Sequence, residues 1–143
     1  MAQFKYGNLL LNGPKGIRDQ AQARKWFERA SKAGFIKATY NLGHIHWNGL
    51  GVAENYKKAW NFFLTAAKGG NAKGMLNLGV MRLEGHYRKV DLVEAFKWGV
   101  LAKNLGAKKQ AMELLAHLRP QMTKAQMKRA DAAAQKWYDA HRR

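Results

Sequence analysis

Five histidines, nine carboxylates and one serine are the chain's main material for proton transfer, nucleophilic attack or metal binding; it has no cysteine. The absence of cysteine removes disulfides, thiolate catalysis and Cys-ligated zinc together. His44 and His46 form the one suggestive pair, but residues two apart on a helix point to nearly opposite sides. His86, His117 and His141 add no ligand spacing to them. Among the acids, Asp19, Asp91 and Glu94 sit where helix caps are expected, and Glu28, Glu54 and Asp139 read as solvated helix charges. Ser31, the sole serine, lies in no nucleophile elbow, and no phosphate loop or dinucleotide fingerprint occurs. Gly49-Leu50-Gly51 reads as a turn between helices. The expectation is therefore no enzyme, no metal and no cofactor.

The elements that would position these residues follow from composition and period. The 143 residues are 47% hydrophobic and 24% charged, which suits one globular domain over 1–143. The 26 lysines and arginines set against nine acids give a formal charge of +17, which attracts acidic surfaces. No apolar run approaches the ~18 residues of a spanning helix. The start, Met1 to Gly7, lacks a charged and apolar leader, so the expected location is cytoplasmic as written, or exported if a leader was removed.

A period of 36 residues runs through the chain. Gly7, Gly43 and Gly79 fall in register, as do Gly13, Gly49 and Gly85, then Ala23, Ala59 and Ala95. Trp26, Phe62 and Trp98 follow, then Ala30, Ala66 and Ala102, and Gly34, Gly70 and Gly106 close each unit. Leu114 continues the series of Tyr6, Leu42 and Leu78 into a degenerate fourth unit. The units are 1–34, 35–70 and 71–106, with a capping unit at 107–143.

Each unit reads as two helices. Markers at Ala38, Leu42, Gly43, His46 and Gly49 have helical spacing. Glycine inside a helix costs about 1 kcal/mol relative to alanine, so Gly7, Gly43 and Gly79 predict close approach of a partner helix. Asp19-x-x-Gln22 and Asp91-x-x-Glu94 look like capping boxes, with Asn55 as the equivalent cap in the middle unit. Gly34, Gly70 and Gly106 suit the left-handed position that ends a helix. Arg119-Pro120 should stop one helix, and Thr123-x-x-Gln126 should cap a last, more polar one in which Ala130, Ala134 and Trp137 face inward.

These residues resemble the Sel-1-like repeat (SLR) family, relatives of tetratricopeptide repeats. The second unit matches that pattern at Ala38, Leu42, Gly43, Gly49, Gly51, Val52, Lys58, Ala59, Ala66, Ala67 and Gly70. It carries His46 in place of the family's tyrosine and Phe62 in place of its tryptophan. The third unit has Tyr87-Arg88 where Gly-Val is expected. The resemblance implies an all-α fold, a right-handed α-solenoid of about four antiparallel helix pairs, and adaptor or scaffold work without catalysis.

In such an architecture the first helix of each pair lines the concave face. That places Phe4 and Leu11 there in the first unit, with Tyr40, His44, Trp47 and Asn48 in the second. Leu76, Val80, Leu83 and Glu84 follow in the third, and Lys37 and Lys73 flank them, as does Arg82. A concave apolar stripe with polar handles suits a peptide or loop of a partner protein, an acidic one given the charge. The same aromatics would also serve as contacts between neighbouring repeats. Two other functions stay open, the first suggested by the family resemblance and the size, the second by the charge. One is a secretion-system immunity protein that neutralises a toxin, and the other is nucleic-acid or anionic-membrane binding through the basic surface.

Overall fold

A computed structural model describes residues 7–8, 11 and 19–142. Two compact units make up the chain, Met1–Gly69 and Gly70–Arg143. Among the described residues there are seven α-helices and one 3-10 turn, with no strand.

In the first unit, α1 (Gln20–Lys32), α2 (Ile36–Asn48) and α3 (Tyr56–Lys68) follow one another, and α2 packs against both neighbours. The Asp19 side chain accepts the amide of Gln22 at 3.0 Å and Asn55 accepts that of Lys58 at 3.0 Å, satisfying helix-start donors that would otherwise lack partners. Ala23, Phe27, Ala30, Ala38, Leu42 and Ile45 form the buried centre. Burying a side chain such as Phe27 contributes about 1.5–3 kcal/mol. Lone Ser31 has a structural role: its hydroxyl meets that of buried Thr39 at 2.6 Å, tying α1 to α2.

The close approach expected at the helical glycines is present. A methyl group on Gly43 would lie 2.6 Å from two ring carbons of Phe63 on α3, and one on Gly7 would lie 3.0 Å from the ring of Phe27. Gly34, Gly70 and Gly106 all have positive φ, as the helix-end reading requires.

In the second unit, α4 (Ala72–Glu84), α5 (Leu92–Asn104), α6 (Lys108–Leu118) and α7 (Lys124–His141) surround a core that includes Phe96, Leu115 and Leu118. Here α5 packs against α4, α6 and α7. The position that holds Phe63 in the first unit holds Gly99, and Leu115 from α6 comes within 2.8 Å of where its methyl would be. The ring lost from α5 is thus replaced by an aliphatic side chain from the next helix.

The capping expectations divide. Thr123 and Gln126 form the full reciprocal box at the start of α7. Asp91 caps α5, but the side chain of Glu94 pairs with Lys97 at 3.0 Å instead of returning to the cap. Pro120 ends α6 at Leu118 through the 3-10 turn Arg119–Gln121. On α7, Ala130 and Ala134 are buried, and Trp137 is half-buried, edge-on to Trp98 with centroids 5.3 Å apart.

The turns after α2 and α4 share one closure. The amide of Asn55 donates to the carbonyl of His46 at 2.8 Å, and that of Asp91 donates to the carbonyl of Arg82 at 2.9 Å. They differ one turn position later, where Gly51 has φ +72° and Tyr87 has φ +66°. An L side chain in this left-handed region costs roughly 1–2 kcal/mol, so the third repeat carries strain where the second carries none.

Candidate functional site

The helical period brings Tyr40, His44 and Trp47 to one side of α2. Tyr40 and Trp47 are half-buried, and both lean on the fully buried ring of Phe63, with centroids 5.7 and 6.4 Å away. Tyr56 at the start of α3 also packs against the Trp47 ring, with centroids 5.2 Å apart. His44 is exposed and stands edge-on to Tyr40 at 6.1 Å. The Asn48 amide donates to the ring nitrogen Nδ1 of His44 and to its carbonyl oxygen, the latter at 3.0 Å, which fixes the imidazole over the end of the helix. Lys37 is exposed at the other end. The result is an aromatic shelf: inner edges anchored in the core, outer edges toward water, a fixed imidazole and a nearby ammonium. Such a shelf can bury an apolar side chain and pair with a carboxylate.

The remaining expected residues are distributed differently. Phe4 lies outside the described residues. Leu11 is half-buried and packs on the core of the first unit. On α4, Leu76 and Leu83 are half-buried against the cluster containing Phe96 and Leu114, and Val80 is half-buried. Lys73 and Glu84 are exposed, with Glu84 facing His86 at 3.7 Å. Arg82 is not a surface attractor for negative charge. Its guanidinium donates to Asp91 at 3.2 Å and to the carbonyl of Lys89 at 3.2 Å, holding the turn after α4. Sequence reading missed this role, although Arg82 shares a repeat position with His46 and sits nine residues before a cap.

His46 and His44 separate as their spacing requires. His46 is buried, its ring stacked on Phe62 at 5.4 Å, and Nδ1 has no hydrogen-bond partner. Burial, with the nearby charges of Lys58 and Arg24, holds its pKa below 6.5, against a smaller opposing pull from Glu28. It is a neutral packing residue. Among the described residues no three His, Asp or Glu side chains gather as a metal site, and no helix is long and apolar enough to cross a membrane.

Paired helices recurring every 36 residues, with glycine crossings between them, define an α-helical repeat protein. The Sel1 repeat profile matches residues 1–35, 36–71 and 72–106, and the chain belongs to the Sel1 repeat family. No curated protein matches it significantly in sequence. Among solved structures, a Sel1 repeat protein from Oxalobacter formigenes is 28% identical with a TM-score of 0.70, covering 79% of this chain and 46% of its own. The protein c5321, described as a protective antigen of uropathogenic Escherichia coli with an SLR fold, is 18% identical with a TM-score of 0.70. That match covers 97% of this chain and 38% of c5321. The chain thus spans less than half the length of either relative and has their all-α, SLR solenoid fold. Sel1 repeat proteins generally mediate protein–protein interaction.

Proposed function

We propose that this chain is a non-catalytic interaction module that holds an acidic segment of another protein against α2. The observation that carries the reading is the shelf of Tyr40, His44 and Trp47. These are wide amphipathic rings braced from below by Phe63 and Tyr56, with Lys37 beside them. Aromatic groups held this way lose little entropy on binding and form the energetic centre of many interfaces. The exposed cations on every repeat favour approach by a negatively charged partner. In the second unit, α4 carries Lys73, Leu76, Val80, Leu83 and Glu84 at the equivalent repeat positions, a candidate surface of its own. A toxin neutralised by this chain would be one such partner.

The test is affinity capture from the native host with mass spectrometry, run with the unaltered chain and with Trp47→Ala. Half-burial of the indole sets the stability cost of this change at about 1–2 kcal/mol, so helical content should persist while the captured partner is lost. Equal capture by the variant, or a partner with no acidic segment, defeats the reading.

A second reading has its own observation. On α1 the guanidinium of Arg29 lies over the Trp26 ring at 4.8 Å, with exposed Lys25 and Lys32 alongside, an arrangement that suits phosphate groups. It requires binding to oligonucleotides or anionic vesicles that falls steeply with added salt. Absence of both at low salt removes it.

A further inference from the structure

A groove in the second unit, separate from the α2 shelf, has the features of a second binding site. Two hollows of about 380 and 340 Å³ lie along α5 and α7 and share Val100, Asn104 and Asp131. Their lining on α7 runs from Met127 to Tyr138, which at 1.5 Å per residue is about 16 Å, the length of roughly five extended residues.

Asp131 is the unusual member. Most acids of this chain are in use: Asp19 and Asp91 cap helices, and Glu28, Glu84, Glu94 and Asp139 pair with Arg24, His86, Lys97 and Gln135. Glu54, Glu113 and Asp131 have no such partner among the described residues, and of these three Asp131 lines both hollows, where they meet. The amide of Asn104 is equally uncommitted and lines the same point. A carboxylate and an amide on facing helices are an acceptor-rich pair suited to a lysine or arginine side chain and the peptide N–H groups beside it.

The rest of the lining adds direction. At one end Arg119 presents positive charge, its guanidinium 5.7 Å from the centre of the Phe96 ring. The half-buried Met127 and Val100 supply apolar wall between Arg119 and Asp131, over a floor of buried Phe96 and Leu115. Positive charge, apolar surface and negative charge therefore follow one another within one trough. A nucleic acid is repelled by Asp131, and an acyl chain would have to cross a carboxylate at mid-length.

We propose that this groove binds an extended peptide segment of a partner protein in which an acidic residue, an apolar residue and a basic residue succeed one another. The acidic side chain pairs with Arg119, the apolar one lies against the half-buried Met127 and Val100, and the basic one reaches Asp131.

The test uses a phage-displayed random heptapeptide library panned against the whole chain at about 150 mM salt, where exposed charges alone are largely screened. Enriched sequences should share the acidic–apolar–basic order. A synthetic peptide of that consensus should bind about tenfold or more weakly to Asp131→Asn and to Arg119→Gln, since each removes a charge-assisted contact. For Asp131→Lys, binding should return when the peptide's basic residue is replaced by glutamate. Both positions are exposed, so melting curves of the variants should overlay the parent. Trp47→Ala should leave peptide binding unchanged, which separates this site from the α2 shelf. The inference is overturned by no enrichment, by a consensus lacking the charge order, or by peptides indifferent to both substitutions.

Discussion

Gly43→Ala tests the physical basis of the repeat at one atom. The added methyl would lie 2.6 Å from two carbons of the Phe63 ring, where ordinary contact begins near 3.4 Å. About 0.8 Å of overlap must be relieved, and Phe63 is only 1% exposed, so its ring has nowhere to swing without disturbing Tyr40 and Trp47 of the aromatic shelf. Overpacking of this kind costs about 1–3 kcal/mol. Alanine returns about 1 kcal/mol of helix propensity. The balance is a loss of up to about 2 kcal/mol, which for a chain of this size lowers the melting temperature by a few degrees. Thermal unfolding followed by circular dichroism measures it, and Phe63→Leu supplies the control. In that background the ring is gone, and Gly43→Ala should become neutral or stabilising, a coupling of about 1 kcal/mol or more between the two sites. A single Gly43→Ala variant that melts higher than the parent would mean that helix propensity alone governs the position, and the close-crossing argument would fall.

Gly51 and Tyr87 occupy one repeat position in the same backbone region, so changes there should have opposite signs. Gly51→Ala places a methyl 2.9 Å from the backbone of Ala21 in a left-handed conformation and should lose about 2 kcal/mol or more. Tyr87→Gly removes strain from an exposed ring and should be neutral or gain up to about 1 kcal/mol, as urea midpoints would show. His46 has a folded pKa below the 6.5 of its unfolded form. Above pH 6.5 it is neutral in both states and has no effect. As pH falls below 6.5 the unfolded chain takes up the proton first, so stability declines until the folded pKa is reached. His46→Phe should flatten that part of the profile, and an unchanged acid slope would remove His46 as its source.

Much of the fold was legible because stacking copies of one unit imposes the same demands every 36 residues. The glycine crossings, the Asp19, Asn55 and Asp91 caps and the left-handed Gly34, Gly70 and Gly106 each recur, and each recurrence is independent evidence. The signal weakens where units compensate for one another. Gly99 carries the ring-bearing position of Phe63 without a ring, and nothing local announces that Leu115 from the next helix fills the space. Arg82 reads as surface charge because its partners, Asp91 and the carbonyl of Lys89, meet it only through the turn. The shelf was partly legible. Helical spacing put Tyr40, His44 and Trp47 on one side of α2, but not the contribution of Tyr56 from the following helix. The α5–α7 groove gave no sequence signal, since Asp131 is distinguished only by its place where the two hollows meet.

The period also separates what stacking requires from what it leaves open. A residue present in every unit meets a demand that every unit makes, and its replacement should act on stability. A residue peculiar to one unit cannot be required by stacking in general. Tyr40 and Trp47 become Leu76 and Leu83 one repeat later, and both pairs still lean on their own cores. Either pair satisfies the packing, so the aromatic choice is free to serve contact with another molecule. By the same reasoning the tyrosine at position 87 is not there for the turn, which Gly51 forms without strain. Binding specificity in this chain should therefore reside in its aperiodic residues and stability in its periodic ones. Substitutions at Trp47 and Asp131 should alter partner choice far more than substitutions at Gly43 or Ala66, once each is corrected for the fraction folded.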